Sequence, residues 1–303
     1  MPQYDIIVIG GGPAGLTAAV YALRAEKKVL VIEKETFGGQ ITFSPKVENI
    51  PGFAEISGME FADKLTEQAL GQGAEFEMCK ALSVEDSADG KIVHTDIGDF
   101  TAGAVIIAVG STHRMLGIEK EEDYIGNGIS FCAVCDGAFY KDKTVAVIGG
   151  GNSALQEALL LSDQAAKLYV VQNLPYLTGE SSMASQLSSK SNVEIITSAV
   201  VDSIIENGKF EGISIRNTDS GEKRDLILDG MFIAIGLVPQ NKPFEDLILL
   251  DDYGYAVSDE SCRTKVDGVF VAGDCRKKNI RQVATAACDG AVAALAACDW
   301  LSK

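Results

Sequence analysis

Residues 4–15, Tyr-Asp-Ile-Ile-Val-Ile-Gly-Gly-Gly-Pro-Ala-Gly, decide how this chain is read. An apolar run of strand length stops at three glycines. A proline follows, and from there the sequence takes on helical periodicity to about Ala25. Glycines at 10, 12 and 15 give the spacing G-x-G-x-x-G between a strand and a helix, and each has a separate reason. Gly10 makes the tight turn, Gly12 lets a pyrophosphate come close to the backbone, and Gly15 lets helix and strand pack together. The next strand, Val29–Ile32, ends at Glu33, about 20 residues on, where a carboxylate accepts bonds from ribose hydroxyls. Strand, turn, helix, strand and acid together predict a dinucleotide-binding βαβ unit. Gly10, Gly12, Pro13, Ala14, Gly15, Glu33 and Lys34 are its candidate contacts.

The pattern recurs. Lys143–Ile148 reads as a strand, Gly149-Gly150-Gly151-Asn152-Ser153-Ala154 opens a helix, and Leu168–Val171 is the following strand. The chain is therefore predicted to be α/β, with two nucleotide-binding, Rossmann-like domains, the second inserted into the first. The second unit lacks its discriminating residue. An NAD site calls for Asp or Glu at the strand end, and an NADP site calls for Arg against the 2′-phosphate. This chain has Gln172-Asn173-Leu174-Pro175, and no Lys or Arg stands between Gln172 and Ser189. The residues do not support NAD(P)H as its ligand.

Between the two units lies Phe131-Cys132-Ala133-Val134-Cys135-Asp136-Gly137. Two thiols three positions apart can close a small disulfide ring, and each tunes the other's acidity. Asp136 stands where it can carry a proton to or from the leaving thiol, and Gly137 is expected to let the backbone turn. Half of a zinc site and a buried structural pair are the alternatives. A zinc site needs two more ligands, yet the other cysteines are isolated and the histidines are only His94 and His113. No metal is expected.

Other segments complete the outline. Phe37-Gly38-Gly39-Gln40 and Val47-Glu48-Asn49-Ile50-Pro51-Gly52 suit loops lying along a cofactor. Residues 58–73 read as a helix, 91–109 as short strands ending at Gly110, and 193–236 as further strands. Residues 237–243, with Pro239 and Pro243, read as a linker, and Cys262 as a buried structural thiol. Val269–Asp274 is a strand ending in an acid, which could bind a ribityl or pyrophosphate group. The alanine-rich helix starting near Arg281-Gln282-Val283 could place its N-terminus against a flavin.

At 303 residues, 47% hydrophobic and 23% charged, the chain has room for two ordinary cores. A net charge of −17 argues against nucleic acid. The first residues carry no basic region, and no uninterrupted apolar run reaches membrane-span length, so no membrane association and a cytoplasmic location are expected.

Taken together these motifs resemble the low-molecular-weight thioredoxin reductases among the flavin disulfide reductases, over nearly the full length. The resemblance rests on Gly10–Gly15 with Glu33, Gly38-Gly39-Gln40, Glu48–Gly52, Cys132–Gly137, Val271-Ala272-Gly273-Asp274 and Arg281-Gln282-Val283-Ala284. It implies FAD, a homodimer, and thioredoxin as substrate. It also implies a split FAD domain, 1–112 and 242–303, with an inserted NAD(P)-type domain, 113–241, carrying the cysteines. By motif position it adds Gly39, Gln40, Asn49, Gly110, Gly273, Asp274, Arg281, Gln282 and Val283 to the FAD contacts. It makes Cys135 the thiol facing the flavin, Cys132 the thiol attacking thioredoxin, and Asp136 the proton handler. NADPH-dependent members carry a His-Arg-Arg run and a further Arg where this chain has Gln172-Asn173-Leu174 and Thr178. In that respect it resembles the members that take electrons from reduced ferredoxin. An NADPH enzyme with an atypical phosphate site, a dithiol oxidase of a small metabolite, and a redox-sensing flavoprotein without turnover are the other readings.

Overall fold

The computed structural model describes residues 3–44 and 46–303. In chain order the elements are β1 (Tyr4–Ile9), α1 (Pro13–Arg24), β2 (Val29–Glu33), α2 (Gly58–Gly71), β3 (Glu75–Met78), β4 (Ala81–Ser87), β5 (Gly90–Thr95) and β6 (Gly98–Ile107). β7 (Ser111–His113) leads onward to β8 (Ile129–Ser130), α3 (Ala133–Asp136), β9 (Thr144–Ile148), α4 (Asn152–Ser162), β10 (Lys167–Val171), α5 (Ser181–Ser188), β11 (Val193–Ile196), β12 (Ala199–Glu206), β13 (Phe210–Asn217), β14 (Lys223–Ile227) and β15 (Gly230–Ile233). β16 (Leu237–Pro239), β17 (Val269–Val271) and α6 (Val283–Leu301) finish the chain. It divides into two compact units, residues 1–112 with 238–303, and residues 113–237.

The first unit is built on a seven-stranded sheet in the order β3-β2-β1-β6-β5-β4, with β17 also on β6. Its centre is parallel: Val8 stands opposite Val31 on one side and Ile106 on the other. Both faces of these strands are covered, which is why they read as unbroken apolar runs rather than alternating ones. Ile6, Ile7, Val8, Val31, Val105 and Ile106 are all fully buried.

Helix α6, with 19 residues and a mean hydropathy of 1.3, has the length and apolarity of a membrane span. Here that apolarity is used in packing against α1, and small side chains set the distance. A Cβ on Gly290 would lie 2.0 Å from the Ala14 carbonyl oxygen, so only glycine permits the approach. Ala286, Ala293, Ala294 and Ala297 line the same buried stripe.

The second unit repeats the parallel core as a five-stranded sheet, β11-β10-β9-β15-β8, with Val147 between Val170 and Phe232. A three-stranded antiparallel sheet, β12-β13-β14, is added to it. The fold is α/β with two Rossmann-like halves, as expected, and several details differ from the sequence reading. The strands β3 and β4 and the short helices α3 and α5 had no clear signal. Part of the expected 237–243 linker is strand β16. Gly137 has φ −56°, an ordinary helical value, so it is not there to turn the chain. What it supplies is space, because a Cβ there would come within 3.2 Å of Leu161 Cδ2.

Candidate functional site

In the first unit the glycine turn has the geometry its spacing predicts. Gly10 has φ +111°, and a Cβ on it would sit 2.3 Å from the Ala108 carbonyl oxygen. A Cβ on Gly15 would lie 1.8 Å from the Gly10 oxygen. Gly12 differs: the nearest atom to a Cβ there is the Gly38 carbonyl oxygen, 3.9 Å away. Gly12 therefore faces room, at the N-terminus of a helix that begins with Pro13 and exposes unbonded amides.

Glu33 closes the far side of this turn. Its carboxylate accepts the amides of Gly11 at 2.7 Å, Lys34 at 2.8 Å and Glu35 at 2.9 Å. Three of about four acceptor positions are thus filled by backbone, which fixes the carboxylate and leaves one position open. Lys34 itself is exposed and paired with Glu35. Gly38 donates to the Gly11 carbonyl at 2.8 Å, and Gly39 packs against Gly12, which brings the Gly38–Gln40 loop onto the turn. Gln40 is exposed there.

The C-terminal segment joins the same place. Gly273, at φ +80°, tucks against Ala14, and a Cβ on it would approach the Ala14 Cβ to 2.7 Å. Its amide donates to Asp289 Oδ2 at 3.1 Å. Asp289 also pairs with Arg276 at 2.7 Å and Lys278 at 3.1 Å, and all three side chains are at most 15% exposed. Arg276 is held further by Ser258 and the Asp259 carbonyl. Asp274 Oδ1 is buried and accepts no hydrogen bond, with the Lys278 ammonium 3.4 Å off as an ion pair. Burial raises the Asp274 carboxyl above its ordinary range, against the pull of Lys278 and Arg281.

Gln282 and Thr285 form a reciprocal capping box at the start of α6, with Val283 its first helical residue, and Asn49 donates to Gln282 Oε1 at 3.2 Å. Arg281 stacks over Tyr255 at 4.0 Å and donates to the Asp274 carbonyl oxygen. Gly110, at φ +65°, accepts the Gln240 amide. A cradle open at Gly12, an unfilled acceptor at Asp274 and a fixed carboxylate at Glu33 suit the chemical groups of a dinucleotide such as FAD. Glu33 would meet a ribose, Gly12 a pyrophosphate and Asp274 a hydroxyl.

In the second unit Cys132 and Cys135 form a disulfide, with their Cα atoms 5.3 Å apart. Cys132 is the N-cap of α3, and its sulfur accepts the Cys135 amide at 3.2 Å. Asp136 Oδ2 accepts from the Ser130 hydroxyl at 2.6 Å, and the same hydroxyl oxygen accepts the Cys132 amide at 3.1 Å. Ser130, 5% exposed, thus ties the acid to the backbone of the first cysteine. Asp136 Oδ1 is buried without a partner, and burial raises this carboxyl above its ordinary range despite the Ser130 bond. A carboxyl whose neutral form is favoured in this way is better suited to hand over a proton than an ordinary surface aspartate.

A second buried acid stands behind the pair. Glu157, on α4, lies beside the Ala133 backbone, and burial pushes its carboxyl up to about 8. His113 stacks on Phe131 at 4.3 Å, and burial lowers its pKa to about 4. Sequence reasoning missed Ser130, Glu157, Lys278 and Asp289. Glu157 and Asp289 had a signal: each is an acid at i+3 and i−4 from apolar residues on the buried face of its helix, Ala154 and Leu161 in α4, Ala286 and Ala293 in α6.

The second glycine turn keeps its shape but not its charge. Gly149 has φ +131°, and a Cβ on Gly151 meets nothing nearer than Thr178 Oγ1 at 3.8 Å. Gln172 is 5% exposed and packs on Gly150, where a Cβ would lie 2.6 Å from its Cδ. Its amide oxygen accepts the Asn173 amide, and its nitrogen donates toward the Tyr176 carbonyl. Thr178 and Gly179 donate to the Gly150 carbonyl oxygen, folding an uncharged loop along the turn. The adjoining groove beside α5 is lined by Leu177, Ser181, Ala184 and Ser185, with no cationic side chain in its wall.

The comparisons agree with this geometry. The chain is 40% identical to the thioredoxin reductase of Bacillus subtilis over 292 residues, 96% of this chain and 92% of that protein. It is 41% identical over 296 residues to a 34.2 kDa protein in the rubredoxin operon of Clostridium pasteurianum, 97% of this chain and 96% of that one. The crystal structure of thioredoxin reductase from Streptococcus pyogenes superposes with a TM-score of 0.94 at 37% identity, covering 99% of this chain and 98% of its own. The family model for pyridine nucleotide-disulphide oxidoreductases matches residues 4–290. With that match over nearly its whole length, the chain belongs to the pyridine nucleotide-disulphide oxidoreductase family, whose thioredoxin reductases are oxidoreductases that use FAD.

Proposed function

We propose that this protein is an FAD-dependent thioredoxin-disulfide reductase that works through Cys132 and Cys135 and takes its electrons from reduced ferredoxin. The observation that carries the reading is the Cys132–Cys135 disulfide with Ser130 bridging the Cys132 amide and the Asp136 carboxylate, in a chain that also carries the residues expected to hold FAD. FAD, when bound, supplies a two-electron carrier to the first unit. Gly10–Gly15, Glu33, Gly39, Gln40, Asn49, Gly110, Gly273, Asp274 and Arg281–Val283 would hold it.

The chain's own part is thiol chemistry. Reducing the disulfide takes two electrons and two protons and leaves two thiols. The Cys135 amide points at the Cys132 sulfur, which favours negative charge there and supports Cys132 as the attacking thiolate. Attack on a thioredoxin disulfide forms a mixed disulfide and releases one thioredoxin thiolate. Asp136, raised toward neutrality and oriented by Ser130, can supply the proton that thiolate takes. Cys135 then displaces the second thioredoxin sulfur, restoring the Cys132–Cys135 disulfide. The protein is further read as a cytoplasmic homodimer with no nucleic-acid partner.

The choice of donor rests on missing charge. A charge-assisted Arg–phosphate bond is worth about 1.5–3 kcal/mol, and several on one phosphate give most of a preference for NADPH. Gln172 is neutral and buried, and no cation follows it before Lys190. An NADPH-dependent reductase with an atypical phosphate site is the second reading, favoured by the open cradle at Gly151.

One set of anaerobic experiments tests both points. Oxidised protein is mixed with NADPH, NADH and reduced ferredoxin in turn while flavin absorbance is followed. Bleaching by ferredoxin alone is expected, and rapid bleaching by micromolar NADPH would overturn the donor. Cys135→Ser, incubated with thioredoxin, should trap a mixed disulfide at Cys132. An adduct through another residue, or none, would overturn the thiol assignment.

A further inference from the structure

We propose that Asn241 is a positioning residue for FAD: where the chain returns to the first unit, it clamps the turn that carries Asp274. The inference rests on the reading of Gly110, Gly273 and Asp274 as FAD contacts. The second unit ends at Leu237 and the first resumes at Val238, so Asn241 is among the first residues of that return. It is fully buried. An amide withdrawn from water needs partners, and both of its donor hydrogens have them. Nδ2 donates to the Cys275 carbonyl at 2.8 Å and to the Gly254 carbonyl at 2.9 Å. Among the described residues none donates to Oδ1. Turned over, the amide would set that oxygen against two carbonyl oxygens, so donation alone fixes its orientation.

Cys275 directly follows Asp274. Its carbonyl accepts the Ala256 amide at 2.9 Å as well as Asn241, so both lone pairs are used and the chain leaving the turn is held from two sides. At the entrance to the turn, Asp289 holds the Gly273 amide. The acid expected to meet the cofactor is therefore pinned before and after.

The base of the clamp is firm. Phe244 donates its amide to the Asn241 carbonyl at 2.9 Å, and its side chain is 2% exposed in the core that holds Ile107 and Val271. The preceding residue reaches a second cradle turn. The Gln240 amide donates to the Gly110 carbonyl at 3.2 Å, and its side-chain nitrogen donates to the Thr112 hydroxyl at 3.1 Å. Two consecutive residues thus hold both Gly110 and the Asp274–Cys275 turn. A displacement of residues 240–241 carries both turns with it, so FAD retention and the order of the return segment are linked, each stabilising the other.

The test uses the flavin-loaded native protein, Asn241→Ala and Asn241→Ser. FAD release on dilution is followed by the rise in flavin fluorescence, and amide hydrogen exchange of residues 272–278 and 10–15 is followed by mass spectrometry. Loss of both donors should weaken FAD by about tenfold or more, the scale of a buried acceptor losing its partner. Asn241→Ser, which keeps one donor, should recover part of that loss. In Asn241→Ala, exchange should quicken by about threefold or more in 272–278, where the amides of Ala272, Gly273, Arg276 and Lys277 are hydrogen-bonded, and stay native at 10–15. FAD release within about twofold of native in both variants would overturn the proposal. Equal loosening of the two segments, the mark of a general loss of stability, would overturn it too. Should Asn241→Ala fail to fold, Asn241→Ser decides by the same two readouts. A native protein that carries no FAD would count instead against the cradle on which the proposal rests.

Discussion

Asp289→Ala isolates the ion cluster beneath the C-terminal half of the FAD cradle. The native carboxylate meets Arg276 at 2.7 Å, Lys278 at 3.1 Å and the Gly273 amide at 3.1 Å, with Arg276 10%, Lys278 14% and Asp289 15% exposed. Removing one member of such a buried pair leaves the other charge uncompensated, a loss of about 3–5 kcal/mol in dry interiors. Here the slight exposure of all three groups places the expected loss near the lower end, about 3 kcal/mol. Asp289→Asn keeps an oxygen for Gly273 but loses the charge, and should cost less. Trp300, the chain's single tryptophan, sits in the same helix as Asp289 and reports on this unit in urea titrations. FAD retention supplies a second readout. Release of the Gly273–Asp274 turn from its anchor should weaken the cofactor by more than about tenfold, or 1.4 kcal/mol. A denaturation midpoint within about 0.5 kcal/mol of native, the range of an ordinary surface change, together with unchanged FAD affinity, would refute the claim that the cluster shapes the cradle.

Three further outcomes are expected. Gly15→Ala forces a Cβ to 1.8 Å from the Gly10 carbonyl oxygen, so the turn must move, and the purified variant should carry little flavin by absorbance; full occupancy would contradict the packing argument. Ser130→Ala removes the hydrogen bond that lowers the Asp136 pKa, so the pH dependence of thioredoxin reduction assigned to that acid should move to higher pH, with a severalfold drop in turnover. An unmoved profile would show that Asp136 does not govern it. Burial raises Glu157 from 4.5 to about 8, so the folded chain binds more protons than the unfolded one between those values, and stability falls as pH rises through that window. Urea titrations at pH 6 and 8 should show the decline in the native protein and a smaller one in Glu157→Gln; equal slopes would contradict it.

How much of this was legible in the sequence depends on how local the governing constraint is. Gly10, Gly15 and Gly273 were readable because backbone clashes within a turn, or between a turn and its neighbour, leave glycine little competition. The cysteine pair and Asp136 were readable because three positions suffice to define them. Ser130, only two positions before Cys132, carried no such mark, since one hydroxyl serving two partners is a tertiary arrangement. Glu157 and Asp289 interrupt apolar stripes, and periodicity treats an interruption as noise. In the structure Asp289 meets two cations, and Glu157 is withdrawn from water beside the Ala133 backbone. The elements α3 and α5 were too short for a periodic signal, and β3 and β4 lie in a stretch of mixed polarity after α2, where alternation was weak.

The strand ends of the two units bring these levels together. β2 and β10 occupy the same place, each following a glycine turn and helix, and they lead into Glu33 and Gln172. Glu33 is a carboxylate, an acceptor only, and it binds the turn by taking amides from Gly11, Lys34 and Glu35. Gln172 is an amide that both accepts and donates, and it spends itself locally on Asn173 and Tyr176 while its chain covers Gly150. The substitution changes more than charge. Arginine placed at 172 would have to leave a buried site, whereas Asn173, Leu174 and Thr178 are exposed, Thr178 next to the opening at Gly151. An effort to build an NADPH site should therefore leave Gln172 in place and put arginines at 173, 174 and 178. Flavin reduction by NADPH that appears with those three, and is no better when Gln172 is changed as well, is the result this geometry requires.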